Sequence, residues 1–240
     1  VPSQLAVAHK RLQNQLQVVV ANAVAEIWAR LGSYNEADVP RFMDEALPLI
    51  AAGQAQSAAL TAAFIARALR VPAFGIDPAR VTGAAVRAGT PPDVVYRRAF
   101  IQTWHDLGQG KPFQDAVDTG QARVRSSANM DIALAQRESF QVAQDDTDGI
   151  YGYQRVASDG ACEFCQAVSG AYVKSASAMP LHNNCGCSLE PLTRAHPKAA
   201  WLPDGTHITD DYAVHDHGEL GPVLTNPSDE FMTESEALSG

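Results

Sequence analysis

Asp159-Gly-Ala-Cys162-Glu-Phe-Cys165, followed after a polar stretch by Pro180-Leu-His182-Asn-Asn-Cys185-Gly-Cys187, contains every cysteine of the 240-residue chain. The pattern is Cys-x2-Cys and then His-x2-Cys-x-Cys. A Cys-x2-Cys turn can aim both sulfurs at one ion, and thiolate and imidazole suit tetrahedral zinc. Scattered cysteines would read as small buried hydrophobes, whereas this cluster reads as one cross-linked site. Zinc takes four ligands, so one of Cys162, Cys165, His182, Cys185 and Cys187 is spare. The favoured set is the first pair with His182 and one of Cys185 or Cys187. An all-cysteine site with His182 outside it is the competitor. Four protein ligands leave no position for water, so the expected zinc is structural and no catalytic residue is assigned.

The surroundings bear on metal against disulfide. The N-terminus shows no basic region followed by an apolar stretch, so no secretory leader is expected. Synthesis in a cytosol keeps thiols reduced, which favours metal over two disulfides or four idle thiols. No run of eighteen apolar residues stands out, so no membrane span is expected.

Outward from the cysteines the sequence changes character on both sides. Upstream, alanine is frequent and β-branched runs are rare, so residues 1–148 read as a helical domain. Leu5, Ala8, Leu12, Leu16, Val20, Val24, Ile27 and Leu31 recur at helical spacing and predict one long amphipathic helix over 3–32. Asp38 and Pro40 mark the next start, and Pro48 is expected to kink or interrupt that helix. An Ala-rich helix over 54–71 follows, then two pieces within 77–108, then a helix over 112–144 that Gly120 could break. Around the cysteines, Tyr151–Ala157 and residues 166–174 suit two paired strands, so 149–198 reads as a small β-rich unit pinned by metal. The chain is therefore expected to be mainly α with a small β-rich zinc-knuckle subdomain.

Charge is unevenly placed. The net charge is −9, and residues 199–240 hold nine carboxylates with no Lys or Arg, so the rest of the chain balances to zero. That segment reads as an extended acidic arm. The richest basic stretch, Arg67 to Arg125, reads as solvated helix faces rather than a nucleic-acid footprint.

Three chemistries compete for the cysteine region. A zinc deaminase needs His-x-Glu with Pro-Cys-x2-Cys, but Ala161 precedes Cys162 and Asn183 follows His182. His215-Asp216-His217 with Glu219 looks like a second ligand set, but it sits in the acidic segment and reads as solvated. A zinc knuckle for single-stranded nucleic acid would use Phe164, Tyr172, Arg155, Lys174 and Arg194, a sparse set that implies weak, salt-sensitive contact with DNA at most.

Residues 159–191 resemble the phage Mu F-like minor head protein (head morphogenesis, minor capsid protein) family. That family is marked by an Asp before Cys-x2-Cys, a Gly five residues after, and Pro-x-His-x2-Cys-x-Cys. Asp159, Cys162, Cys165, Gly170, Pro180, His182, Cys185 and Cys187 fall in place. The family often has Pro after its His and Arg between its last cysteines, where this chain has Asn183 and Gly186. His217-Gly-Glu-Leu-Gly-Pro-Val-Leu224 is similar to a tail segment of versions from actinobacterial phages. The resemblance implies a minor structural protein of a tailed-phage head. It would be made in the host bacterial cytoplasm and incorporated during procapsid assembly. Its place would be the head interior or the portal vertex. The implied partner is the portal or major capsid protein. From the residues themselves, the long amphipathic helices of 1–145 need a partner for their apolar faces and are expected to dock on the portal or on neighbouring copies, with at most weak contact with packaged DNA and no membrane.

Overall fold

The computed structural model describes residues 2–157, 165–166, 171–182, 185–196, 207–209 and 212–225. Four long helices dominate it: α1 (Gln4–Ala29), α2 (Asp38–Leu69), α3 (Pro92–Gly108) and α4 (Phe113–Asp146). Ser3 caps α1, its hydroxyl accepting from the Ala6 N–H at 3.1 Å. Short 3-10 turns over Pro78–Arg80 and Gly83–Arg87 bridge α2 to α3.

Two helices run through residues expected to interrupt them. Pro48 lies inside α2 without ending it, because Phe42, Ala46, Ile50 and Gly53 on either side are all buried in the bundle. Tertiary packing there outweighs the missing backbone donor. Asp38 is the first helical residue rather than the cap, and its carboxylate accepts from the Ser33 hydroxyl at 2.8 Å. Gly120 lies within an unbroken α4, where a Cβ would strike the Trp28 ring and the Thr103 hydroxyl. The glycine is there for close helix approach. By length and composition α2 could cross a bilayer, and its Phe42, Ile50, Phe64 and Ile65 are covered by the bundle.

The face that α1 turns inward also differs from the predicted stripe. In its second half Val20, Val24, Ile27 and Trp28 are buried as expected. In its first half the buried side chains are Ala6, His9, Lys10, Gln13 and Gln17, while Leu12 is 48% exposed. The reason is a polar interior at that end. Gln13 Nε2 donates to the Ser57 carbonyl at 3.0 Å and to Thr61 Oγ1 at 3.1 Å, and Ser57 Oγ returns a bond to Gln13 at 2.9 Å. Satisfied amides and hydroxyls can occupy a core as apolar groups do.

Three segments around the cysteine motif pair as an antiparallel sheet. Its central strand is β1 (Tyr153–Val156), flanked by β2 (Tyr172–Val173) and β3 (Ser188–Pro191). The first two strands match the expected pair. The third, directly after Cys187, has no strong alternation and was not expected. The sheet packs on the bundle: Tyr153 and Leu189 share a core with Phe64, Leu134 and Phe140.

The C-terminal expectation is corrected for its described part. Residues expected in an extended arm form a second antiparallel sheet of β4 (His207–Thr209), β5 (Tyr212–Asp216) and β6 (Pro222–Thr225). Val214, Leu220, Val223 and Leu224 are buried in the same core as the first sheet. High acidic content masked a short apolar alternation. Arg137 of α4, itself buried, donates to the carbonyls of Leu220 and Pro222 and holds the β5–β6 turn against the bundle.

Candidate metal centre

Three elements bring the site together. Cys165 is buried. Cys185 and Cys187 lie on the approach to β3. His182 follows Leu181, which bridges to β6: the Leu181 N–H donates to the Pro222 carbonyl at 3.1 Å and its carbonyl accepts from Leu224 at 2.8 Å. The Cys185 N–H donates to the His182 carbonyl at 3.0 Å. From α1, Gln17 Nε2 donates to the Cys185 carbonyl at 3.3 Å. Gly186 packs against α1 as well, where a Cβ would come within 3.1 Å of the Asn14 amide.

Cys165, Cys185 and Cys187 are all buried, and their sulfurs lie within 4.8 Å of one another. Cys165 and Cys187 sulfurs are 3.1 Å apart, and His182 Nε2 is 2.8 Å from the Cys165 sulfur. Sulfurs around a tetrahedral zinc at ~2.3 Å would stand about 3.8 Å from each other. The Cys165–Cys187 separation is shorter than that, and the limit within which all three sulfurs fall is longer. Cys162, the fifth sequence candidate, lies outside the described residues. Among the described residues, the trio Cys165, Cys185 and Cys187 with His182 beside it is therefore the set that converges.

Beneath the sulfurs lies a cation. Arg155 on β1 is 3% exposed, and it donates to the Pro180 carbonyl at 2.9 Å. Its second terminal nitrogen is 3.5 Å from the Cys185 sulfur and 3.9 Å from that of Cys165. Burial works against the guanidinium charge, but the facing sulfurs overcome it and keep Arg155 protonated. Hydrogen bonds from Cys165 and Cys187, helped by Arg155, hold Cys185 as the readiest thiolate. The same crowding pushes the Cys165 thiol up. Three adjacent thiols in a buried pocket cannot all ionise unaided. A divalent cation would supply what one arginine cannot, and the donor set of thiolates and imidazole is of the kind zinc prefers.

Arg155 was expected among cations available to a nucleic-acid strand. Buried at the sulfurs, it is not available, which corrects that assignment. Its role could have been suspected from its place in a short aromatic and β-branched strand, since a cation that such a strand buries needs an anionic partner.

The second sequence candidate resolves differently. Glu219 Oε1 pairs with Arg87 at 2.5 Å and Oε2 with Arg98 at 2.8 Å. Arg87 also binds Asp131 at 2.5 Å, whose other oxygen accepts from Tyr96 at 2.6 Å. Arg87, Asp131 and Tyr96 are all buried. Glu219 is thus committed to fastening the β5–β6 turn. Arg87 is likewise no solvated helix cation, as expected of its stretch, although Arg97 and Arg80 do make exposed pairs with Glu36 and Asp146.

A profile of the VG15 protein family matches residues 1–213, a span that includes the helices and the cysteine motif. The chain belongs to the VG15 protein family. This is a family of phage virion-gene proteins, so the expectation of a phage virion-related protein holds at that level. No curated protein and no solved structure matches the chain. In this VG15 protein, the matched span holds all five cysteine and histidine candidates.

Proposed function

We propose that this chain is a minor structural protein of a tailed-phage head, stapled by one structural zinc. The observation that carries this reading is the convergence of the buried Cys165, Cys185 and Cys187 sulfurs, with His182 Nε2 2.8 Å from Cys165 and Arg155 behind them, in a chain of a phage virion family. Three thiolates and one imidazole would place one net negative charge on the zinc complex, and Arg155 offsets it. Cys162 would be either a fourth thiolate in place of His182 or a neighbour of the complex. A filled coordination shell leaves no site for an activated water, so the role is mechanical and not enzymatic. The metal would join Cys165, the approach to β3 and the β6-bridged segment around Leu181, pieces too short to hold together by burial alone.

In the head, the protein would enter during procapsid assembly and sit inside or at the portal vertex. Its contacts would be with portal or major capsid protein, and its effect on packaging or ejection. The Mu F-like pattern in residues 159–191 supports this. Metal content with thiol titration, on protein purified under reducing conditions, tests the centre. One zinc per chain with protected thiols is expected, and Cys185→Ser should lose both the metal and the hydrogen-exchange protection of β1 and β3. Metal-free protein with freely reactive thiols and a stable sheet would overturn it. Co-sedimentation with portal protein tests the assembly role separately.

A further inference from the structure

The polar interior at the start of α1 has a consequence on the outside of that helix. It turns Leu12 outward, 48% exposed, on the same side as Val18 at 57% and Val19 at 64%. The exposed residues Ala8, Leu12, Gln15, Val19, Asn22 and Glu26 follow one another at steps of four and three. That is the seam spacing of a paired helix, with Gln15 and Asn22 as polar positions that set register and direction.

The order of residues along the seam is self-complementary when reversed. Laid antiparallel about a point between Val18 and Val19, a second α1 puts Val18 against Val19, Gln15 against Asn22, Arg11 against Glu26 and Ala8 against Ala29. Every one of these side chains is exposed or, for the valines, more than half exposed. The same superposition places two apolar pairs at the centre, two amide pairs outside them, and an Arg–Glu pair at each end. Small alanines beyond the charged pairs let the backbones approach. A parallel pairing would set Arg11 against Arg11 and Glu26 against Glu26, which repels at both ends.

We infer that α1 is a dimer interface and that its partner is a second copy of this chain, related by a two-fold axis across Val18 and Val19. Such an isologous contact uses one patch twice, so each favourable pair occurs in duplicate. The inference is independent of the zinc reading, since none of these residues touches the cysteine centre.

Sedimentation equilibrium on the full chain under reducing conditions tests it. The expected result is a reversible monomer–dimer equilibrium. Arg11→Glu and Glu26→Arg singly should each weaken the dimer about tenfold, because both ends then carry like charges. The double exchange, Arg11→Glu with Glu26→Arg, should restore it, since the antiparallel pairs reform with signs reversed. Val19→Asp should abolish the dimer while leaving the melting temperature of the monomer nearly unchanged, as this position is exposed. A wild-type chain that stays monomeric at high micromolar concentration would overturn the inference. So would an oligomer indifferent to Val19→Asp, or a double exchange no tighter than the single variants.

Discussion

The two ends of the helical bundle are built on different physics. At one end Trp28, Phe42 and Phe100 meet edge to face and tilted, with centroids 4.7–5.7 Å apart. The Trp28 indole donates to the Val117 carbonyl at 3.2 Å and the Trp104 indole to the Tyr34 carbonyl at 2.6 Å, while the three rings themselves are held by burial and shape. At the other end His9, Gln13, Ser57, Thr61, Gln136 and Ser188 are buried, and so are Arg137 and Arg155. His9 Nδ1 reaches the Ser188 hydroxyl at 3.2 Å, which also accepts from Gln136 at 2.7 Å. Both sheets attach at this second end. An apolar core tolerates small shifts in what packs on it. A polar core demands a partner for each donor and acceptor, and so sets the sheets in one position. The end that carries the candidate metal centre is thus the end whose geometry is most tightly specified.

The largest effect that would separate the two ends is expected from Trp28→Ala. It should cost about 3–5 kcal/mol, as large-to-small changes in a dry core do, with the whole bundle melting earlier in calorimetry. Equal loss of protection in the sheets and the helices would show that one cooperative unit spans both ends. Loss confined to the aromatic end would divide them.

Acid should act on the polar end. Burial lowers the His9 pKa to about 4, below its ordinary value. The unfolded chain therefore binds a proton at His9 before the folded chain does. Stability from this residue is complete above about pH 6.5 and declines as pH falls toward 4, by about 3 kcal/mol over the window, with no further loss below it. Denaturant titrations across pH 4–7 should show this slope, and His9→Gln should flatten it. An unchanged slope in the variant would mean that the polar end is not the acid-sensitive one.

A smaller and more local effect is expected from Glu219→Gln. Burial alone would raise the Glu219 pKa, but bonds from Arg98 and the charge of Arg87 bring it below the usual range. Removing its charge should cost about 1–3 kcal/mol and raise hydrogen exchange in β5 and β6 first. Loss of protection beginning instead around Trp28 would break the distinction between a fastened sheet and a packed bundle.

Much of this was legible from residue order, and what was not has identifiable causes. The gathering of Cys165, Cys185 and Cys187 was readable because the spacing of cysteines along the chain is a local property. So were β1 and β2, through their aromatic and β-branched run. The inward face of α1 was misread at Leu12 because hydropathy counts a buried Gln13 as a loss. It cannot see Ser57 and Thr61 arriving from α2 to satisfy it. Pro48 was misread for a similar reason, since helix breaking is a local cost and the burial that outweighs it is not local. The strands β4–β6 were hidden by the acidic composition around them, in which Glu219, in the turn after β5, is paired with two arginines from other elements.

Residue order by itself determined that the chain is mostly helical, that its thiols and one imidazole gather in a short segment, and that its acidic charge is confined to the end. These follow from propensity, spacing and composition, which act within a few residues. Only the tertiary structure decided that Arg155 lies under the sulfurs and that Leu12 faces out while Gln13 faces in. It alone decided that the acidic segment returns as a sheet locked by Arg87, Arg98 and Arg137. Each of these depends on a partner distant in sequence, because a buried charge or amide is stable only where another element supplies its complement.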